Sequence, residues 1–393
     1  MKMSSRLSAT RRFHVDGMLM LAWLGLLAMG YVMVVSSSIH IGKNQLANIW
    51  NYPFKQFAHL MLGMASAYLI AKIPMQRWEQ WGIKLFFFGV ILLMSVLIPG
   101  VGVTVNGSTR WINLGISIQV SELVKFFSVV YMAGYVTRRA DSLRTSIVGL
   151  LKPLALLGVA GVLLLLEPDF GSTVVIIATA MALMFLAGAR LVHFGMLFGV
   201  VAAAGIILVI ASPYRLERVS GFLDPWSNFK TSGYQLGNAL ISFGMGKVLG
   251  VGLGNGVQKL FYLPEAHTDF LLSVIAEELG LVGVLTVMAL FSLFIWRAFK
   301  IAEAAERIGL FYASYVAYGL GIWFGLQALI NIGVNMGVLP TKGLTLPLMS
   351  YGGGSMIIMC CAVGLLCRVY DETVEIKANT IPEPRVRVKA KHE

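Results

Sequence analysis

Long apolar segments separated by short polar connections recur along almost the whole chain. About ten of them approach the roughly 20 residues that a helix needs to cross the hydrocarbon core of a bilayer. They are residues 18–38, 54–73, 82–98, 120–137, 153–166, 171–188, 192–211, 270–297, 309–335 and 347–367. Because a backbone in lipid must satisfy its hydrogen bonds internally, the pattern predicts an all-α, polytopic membrane protein of about ten transmembrane helices.

Composition supports the same class of protein. Hydrophobic residues make up 57% of the 393-residue chain and charged residues 13%, with a mean hydropathy of +0.78. A soluble globular domain with this balance would have too little polar surface to face water. The net charge of +12 would suggest a nucleic-acid partner in a soluble domain. Here the basic residues lie in short connections and at the chain ends, where membrane orientation explains them.

The distribution of Lys and Arg predicts the orientation, because cytoplasmic connections of membrane proteins are rich in these residues. They are concentrated near the N-terminus, in the connections after the second, fourth and eighth spans, and in the C-terminal tail. The opposite short connections hold only Lys43, Arg110 and Lys342. Both ends are therefore predicted to be cytoplasmic. The outward segments are then residues 99–119, 167–170, 212–269 and 336–346.

Three parts follow from these boundaries. Residues 1–17 form a cytoplasmic tail, residues 18–370 the transmembrane domain, and residues 371–393 a charged cytoplasmic tail that lacks apolar periodicity and is predicted to be disordered. The first apolar run is too long for a signal-peptide core and has no convincing cleavage site, so we predict that it stays in the protein.

The large outward loop between spans seven and eight, residues 212–269, is too apolar and aromatic for a solvated linker. We predict that it lies on or dips into the outer leaflet. Its glycine-rich run, residues 250–256, follows no predicted strand and lies in a membrane loop, so a dinucleotide-binding turn is excluded.

Residues 262–270 place two acids and a histidine directly before the eighth span. A carboxylate at this boundary, Asp269, can keep its charge while touching a substrate held in the lipid. The structural alternative is that Thr268 and Asp269 only start the helix, because short polar side chains cap free N–H groups and an acid suits the positive end of the helix dipole. The stretch alone favours the structural alternative.

Other polar residues lie inside or at the ends of spans, where they are costly. Glu122 and Lys125 are three residues apart at the outward start of the fourth span, so they share a helix face and can pair. The pair could act on a substrate or lock helices together. A stripe of amides in the ninth span, Gln327, Asn331 and Asn335, could likewise bond neighbouring helices or line a polar cavity.

Anionic head groups and metal ions are the remaining candidates for binding. Arg110 and Lys342 on the outward side suit an anionic group. Glu265, His267 and Asp269 match no strong zinc signature. A Mg²⁺ ion held by carboxylates and a substrate pyrophosphate is chemically compatible. The cysteines Cys360, Cys361 and Cys367 lie in one apolar run and are predicted to be small core residues.

The ordered motifs resemble those of the SEDS family (shape, elongation, division and sporulation) of bacterial peptidoglycan polymerases. The resemblance extends from the first span to about Tyr370. The matching stretches are residues 107–115, 121–125, 167–171, 262–270, 277–280 and 346–353. Residues 259–269 and 340–347 are most similar to the cell-division branch, with the elongation branch as the alternative. Gly353-Gly354-Ser355 departs slightly from the family pattern.

The resemblance implies an enzyme that polymerises lipid II into glycan strands at the outer face of the bacterial cytoplasmic membrane, during septal wall synthesis. It implies that Asp269 is the family's essential aspartate and that Glu122 and Lys125 are its cavity residues. From the chemistry of the reaction we assign Asp269 as the catalytic base and predict substrate contacts by Glu122, Lys125, Arg110, Lys342, Glu265 and His267. A class B penicillin-binding transpeptidase and division regulators are the implied partners. A lipid II flippase using the amide stripe, and a scaffold that only recruits the transpeptidase, are the alternatives.

Overall fold

The computed structural model of the chain describes residues 13–45, 50–105, 108–113, 115, 117–341 and 343–380. Within these ranges the chain forms thirteen α-helices and one small sheet. The helices are α1 (Gly17–Gln45), α2 (Asn51–Ala71), α3 (Met75–Val96), α4 (Val120–Arg138), α5 (Ala140–Thr145), α6 (Ile147–Leu166), α7 (Phe170–Leu186), α8 (Leu191–Ile210), α9 (Pro213–Leu223), α10 (Tyr234–Gly246), α11 (Leu271–Arg307), α12 (Phe311–Asn335) and α13 (Gly353–Thr380).

Each predicted span coincides with a helix, which confirms the helical membrane fold. Among the described residues, seven helices are long and apolar enough to cross a membrane, namely α1, α3, α6, α8, α11, α12 and α13. The other predicted spans coincide with α2, α4 and α7. The count of ten spans and the cytoplasmic position of both ends stay predictions.

The outward segment 99–119 differs from the all-α expectation. It forms an antiparallel sheet in the order β1 (Val103–Val105), β2 (Ser108–Asn113) and β3 (Ser117–Gln119). Trp111 of β2 is opposite Val103 on one side and Gln119 on the other. These strands are too short for their alternation to stand out between two apolar spans, and β3 leads directly into α4.

Helix α4 lies at the centre of the bundle. Of its 19 residues, 15 are buried, and its apolar side chains contribute to both hydrophobic clusters of the core. One cluster joins it to α1, α2 and α10–α13, and the other to α3, α6 and α7. At the other extreme, α8 buries only Leu197, as expected for a helix surrounded by lipid.

The long outward loop is mostly structured. Its first part forms α9, which starts with Pro213, a residue whose fixed φ suits the first turn of a helix, and its middle part forms α10. Its glycine-rich run packs against α11, which is interrupted at Gly280, where φ is 64° and ψ is −160°. The sequence pattern had shown one uninterrupted apolar span there.

The C-terminal boundary predicted from the sequence is wrong for residues 371–380, because α13 continues through them. Asp371 is buried and accepts hydrogen bonds from the backbone N–H of His14 at 2.9 Å and from Arg368 at 3.3 Å. Glu372 accepts from the backbone N–H of Met75 at 3.0 Å. These charges therefore have partners on neighbouring segments. Residues 381–393 and 1–12 lie outside the described part.

Single cysteines can test the predicted orientation. Ser227 is exposed in the outward loop, and Thr145 is exposed in α5, which is predicted to lie on the opposite side. We expect a membrane-impermeant maleimide to label Ser227→Cys in intact spheroplasts, and Thr145→Cys only after permeabilisation. The native cysteines lie in the apolar α13, so the unchanged protein is the background control. Labelling of Thr145→Cys without permeabilisation would contradict the predicted orientation.

Candidate active site

Asp269 ends the outward loop immediately before α11. Its backbone oxygen accepts hydrogen bonds from the side-chain amides of Asn331 at 2.9 Å and Asn335 at 3.0 Å. The same amide of Asn331 also donates to the backbone oxygen of Leu344 at 2.6 Å. Helix α12 therefore fixes the loop before α11 and the segment before α13 against each other.

The carboxylate of Asp269 does not cap the helix. Helix α11 begins at Leu271, its N-cap position is Phe270, and that N-cap makes no side-chain capping bond. The hydroxyl of Thr268 donates instead to the carboxylate of Glu265 at 2.6 Å. The structure thus contradicts the alternative in which Thr268 and Asp269 only start the helix.

The surroundings of Asp269 make its carboxylate more basic. Burial raises its pKa to about 7, and the negative charge of Glu265 adds to the rise, while Arg110 and Arg218 oppose it. Desolvation penalises the charged form of a carboxylate, so an acid at such a place binds a proton more readily than one in water. A pKa near neutrality suits a general base.

Arg110 lies in β2 and its guanidinium is oriented by uncharged groups. It donates to the backbone oxygens of Glu167 at 3.0 Å and Pro168 at 2.8 Å. Burial and the neighbouring Asp169 raise the pKa of Glu167 to about 8, although Arg110 opposes the rise. Glu167 therefore ionises less readily than an ordinary carboxylate and offsets less of the positive charge of Arg110.

Arg218 was not among the residues singled out from the sequence. It lies in α9, donates to the backbone oxygen of Thr341 at 3.2 Å, and is close enough to Asp269 to lower its pKa. The signal in the sequence was a pair of arginines, Arg215 and Arg218, in the apolar outward loop. The sequence does not show which of the two arginines lies near the carboxylate of Asp269, because that depends on how α9 packs against the rest of the protein.

A groove of about 160 Å³ opens near these groups, between α7, α12 and the segment before α13. Its lining is apolar and consists of Phe170, Gly171, Val174, Ile330, Leu339, Pro340 and Leu344. The guanidinium of Arg215 lies 5.3 Å from the centre of the Phe170 ring at one side. An apolar channel flanked by arginines matches a ligand with a hydrocarbon chain and an anionic head.

Glu122 and Lys125 pair as the spacing predicts, but both are buried. The ammonium of Lys125 donates to Glu122 Oε1 and to Gln327 Oε1, each at 2.7 Å. Gln327 in turn donates to the backbone oxygen of Thr345 at 3.2 Å. In this arrangement neither charged group reaches an open surface, so the structure supports a role in holding α4, α12 and residue 345 together. Direct substrate contact by the pair stays a prediction.

The amide stripe of α12 bonds the protein to itself. Gln327, Asn331 and Asn335 are all buried and are engaged with Lys125, Thr345, Leu344 and Asp269. Of the alternatives for this stripe, helix bonding is confirmed. A path for a polar head group across the membrane would need some of these amides to be open to solvent.

His267 packs against two tyrosines. Its ring centre lies 5.4 Å from that of Tyr52 and 5.5 Å from that of Tyr351, and its backbone oxygen accepts from the backbone N–H of Tyr351 at 2.9 Å. Burial lowers the pKa of His267, with Glu265 opposing. Among the described residues, no three His, Cys, Asp or Glu side chains are arranged to hold a metal ion. Lys342 lies outside the described residues.

Asn331 can be tested without any assumption about function. We expect Asn331→Ala to lower the free energy of unfolding by about 1–3 kcal/mol, because the buried carbonyl of Leu344 loses this donor and the carbonyl of Asp269 keeps only that of Asn335. Thermal unfolding in detergent measures this. The control is Thr286→Val, which removes a hydroxyl on the exposed surface of α11. Equal stability of both variants would show that the Asn331 bonds do not fix these segments.

Comparison with known proteins gives concordant matches. A family model for cell cycle proteins, covering FtsW, RodA and SpoVE, matches residues 17–375. A probable peptidoglycan glycosyltransferase FtsW of Methylomonas methanica is 59% identical over 94% of this chain and 96% of its own length. One of the same name from Coxiella burnetii is 49% identical over 93% of this chain and 98% of its own.

Solved structures agree with these relatives. A chain from a structure of a peptidoglycan synthase complex that coordinates polymerization and crosslinking matches with a TM-score of 0.74 and 28% identity, over 92% of this chain and 99% of its own. The rod shape determining protein RodA of Thermus thermophilus matches with a TM-score of 0.66 and 27% identity, over 91% of this chain and 96% of its own.

Proposed function

The chain belongs to the FtsW, RodA and SpoVE family of cell cycle proteins, and from this we propose that it is a peptidoglycan glycosyltransferase that polymerises lipid II during cell division. The observation that carries the proposal is the carboxylate of Asp269, part-buried with a pKa raised to about 7 beside Arg110 and Arg218. Relatives named FtsW reach 59% identity, whereas the matched RodA is at 27%. This difference favours the division role over the elongation role.

In the proposed reaction, the 4-hydroxyl of the acceptor lipid II attacks the anomeric carbon of the growing glycan. A bond forms between that oxygen and the anomeric carbon, and the bond from the anomeric carbon to the pyrophosphate breaks. The hydroxyl proton passes to Asp269, and undecaprenyl pyrophosphate leaves. General-base catalysis of this kind needs a base whose pKa lies near the working pH.

Arg110 and Arg218 are the cations that we assign to the leaving pyrophosphate. Backbone carbonyls orient both side chains, and both guanidinium groups act electrostatically on the carboxylate of Asp269. Charge that develops on the pyrophosphate would meet two oriented donors in a partly desolvated site, where such donors stabilise most. Lys342 stays a predicted third cation.

We propose that the apolar groove lined by Phe170 and Leu344 binds the first isoprene units of the lipid substrate. Its lining is apolar, and Leu344 is tied through Asn331 to the backbone of Asp269. A polyprenyl chain in this groove would place its pyrophosphate near the arginines and leave the sugars in water. Glu122 and Lys125 would then act indirectly, because Lys125 holds Gln327 and Gln327 holds the backbone of residue 345.

The surroundings of the enzyme follow from the same proposal. We place it in the bacterial cytoplasmic membrane at the division septum, with a class B penicillin-binding transpeptidase and division regulators as partners. Among the residues that the structure describes, no three His, Cys, Asp or Glu side chains are arranged to hold a metal ion. Mg²⁺ held mainly by the substrate pyrophosphate stays a prediction, to be tested by assays with and without the ion.

Asp269→Asn should abolish polymerisation. The amide cannot take the hydroxyl proton, so we expect turnover of purified lipid II to fall by roughly 10²–10⁴-fold, measured as labelled glycan on a gel with the transpeptidase partner present. The matched control is Glu217→Gln, an exposed acid of α9, which should behave as the unchanged protein. Glycan formation by Asp269→Asn at the normal rate would refute the assignment.

Movement of lipid II without polymerisation is the outcome that would favour a flippase. In proteoliposomes loaded with labelled lipid II, a flippase would transfer label between leaflets and form no glycan. The buried and bonded amides of α12 disfavour this outcome.

The pH dependence of kcat/KM should show the raised pKa of Asp269. The base form is deprotonated, so activity should rise with pH through about 7 and be roughly tenfold lower one pH unit below that value than on the plateau. An ordinary carboxylate would give a profile that is flat above about pH 5. Initial rates between pH 5.5 and 8.5 measure this, with protein stability followed in parallel. A flat profile would contradict the assignment.

A further inference from the structure

The glycine-rich segment of the outward loop inserts its backbone into helix α11. In an unbroken helix, the backbone N–H groups of residues 281 and 282 would donate to the oxygens of residues 277 and 278. Here Leu281 donates to the oxygen of Lys247 at 3.0 Å and Val282 to that of Val248 at 3.2 Å. The freed oxygens of Glu277 and Glu278 accept from Val251 and Gly252, at 3.0 and 3.1 Å.

Backbone contact this close leaves no room for side chains. A Cβ on Gly250 would lie 2.1 Å from the oxygen of Glu278, and one on Gly280 would lie 2.4 Å from the nitrogen of Gly250. Both residues also have positive φ values, 80° and 64°, which glycine adopts without strain. Two helical hydrogen bonds are exchanged for four bonds to the loop, so the break leaves these groups satisfied.

The side chains of the two acids at the break bind the next part of the loop. Glu277 accepts from the backbone N–H groups of Val257 at 2.7 Å and Gln258 at 3.2 Å. Glu278 accepts from the backbone N–H of Gly254 at 2.9 Å and from the ammonium of Lys259 at 2.5 Å. The helix therefore holds the chain just before the segment that carries Asp269.

Lys259 and Glu278 form a buried ion pair that also reaches α1. Their side chains are 1% and 0% exposed. The ammonium of Lys259 donates further to the hydroxyl of Ser36 and to the backbone oxygen of Gly254, both at 2.9 Å, and Ser36 donates to Glu278 at 2.7 Å. All three donor positions of the ammonium are used, as a buried cation requires.

We propose that Ser36, Lys259, Glu277 and Glu278, here termed the clasp, are positioning residues for the proposed glycosyl transfer, because they close the loop of residues 260–270 that carries Asp269. Lys259 is bound to Glu278 of α11 just before this loop, and α11 itself begins at Leu271 just after it, so both ends of the loop are fixed to one helix. Asn331 and Asn335 of α12 hold the backbone oxygen of Asp269 near its end. The inference rests on the proposed function, since it concerns how Asp269 reaches the acceptor hydroxyl.

The clasp acts on geometry and touches no substrate. Displacement of a catalytic group by about 1 Å can cost roughly 100-fold in rate. Loss of the Lys259 tether should therefore lower kcat and leave KM nearly unchanged, because the arginines and the apolar groove lie outside the loop. A residue that mattered only for stability would instead lower the amount of folded enzyme, with the kcat per folded molecule unchanged.

Two variants separate position from stability. Lys259→Met leaves Glu278 buried without its cation and should destabilise the protein. The double variant Lys259→Met/Glu278→Gln removes both charges, so stability should return towards that of the unchanged protein, while the ammonium tether stays lost. We expect kcat of the double variant to be roughly 10–100-fold lower and KM to change by less than about twofold. Lys300→Met is the control, because it breaks an exposed ion pair on the same helix.

Hydrogen exchange gives a readout that does not depend on activity. In the full-length protein, amides of residues 260–270 should exchange faster in the double variant than in the unchanged protein or in Lys300→Met. A normal kcat in the double variant, or unchanged exchange in that loop, would overturn the proposal. If the unchanged protein fails to polymerise lipid II, the proposed function fails, while the exchange result still decides whether the clasp holds the loop.

Discussion

Two amide groups of α12 determine where the carboxylate of Asp269 lies. Asn331 and Asn335 donate to the backbone oxygen of Asp269, at the point where an irregular loop meets a helix inside an apolar protein. Polar backbone groups in such a place cost free energy unless they are bonded. Side chains of α11 and α12 supply such bonds, and the hydroxyl of Ser350 donates to the backbone oxygen of Thr268 at 2.6 Å, which is why the loop has a defined position. The carboxylate itself is left without a capping role and faces the arginines.

The surroundings that hold the site together also explain why its acids are unusually basic. Backbone carbonyls orient Arg110 and Arg218, so uncharged groups fix the positions of these two cations. Asp269 and Glu167 lie close to these arginines and are nevertheless more basic than ordinary carboxylates, with pKa values of about 7 and about 8. Burial and mutual repulsion between the acids therefore outweigh the attraction of the arginines. An anionic substrate could therefore bind to Arg110 and Arg218, and its hydroxyl could give its proton to Asp269.

The hydrophobic pattern was sufficient to predict the helical membrane fold. The apolar runs approach the length of a span, and, apart from a closed barrel, only a helix satisfies the hydrogen bonds of a backbone in lipid. The Glu122–Lys125 pair was also readable, because a spacing of three residues fixes a shared helix face. The partners of the amide stripe could not be predicted from the sequence, because residues 269, 344 and 345 contact α12 only in the folded protein. Arg218 was missed for the same reason, because its helix, α9, is far from Asp269 along the chain and comes near it only in the folded protein.

The break in α11 shows why local pattern alone misreads this region. Residues 270–297 are apolar enough to predict one continuous span, and the irregular signals in its first half are two glycines, Gly280 and Gly283, and two adjacent acids. Glycine in a transmembrane helix is common and by itself indicates nothing. Adjacent acids in a span are costly, so they needed partners, and backbone N–H groups in and after the glycine-rich run of the outward loop supply them. Taken together, the buried charges and the glycines on both sides of the contact, Gly250 and Gly280, indicate a place where backbone must touch backbone. That contact requires both features, because the glycines allow the approach and the acids bind the N–H groups that the approach leaves free.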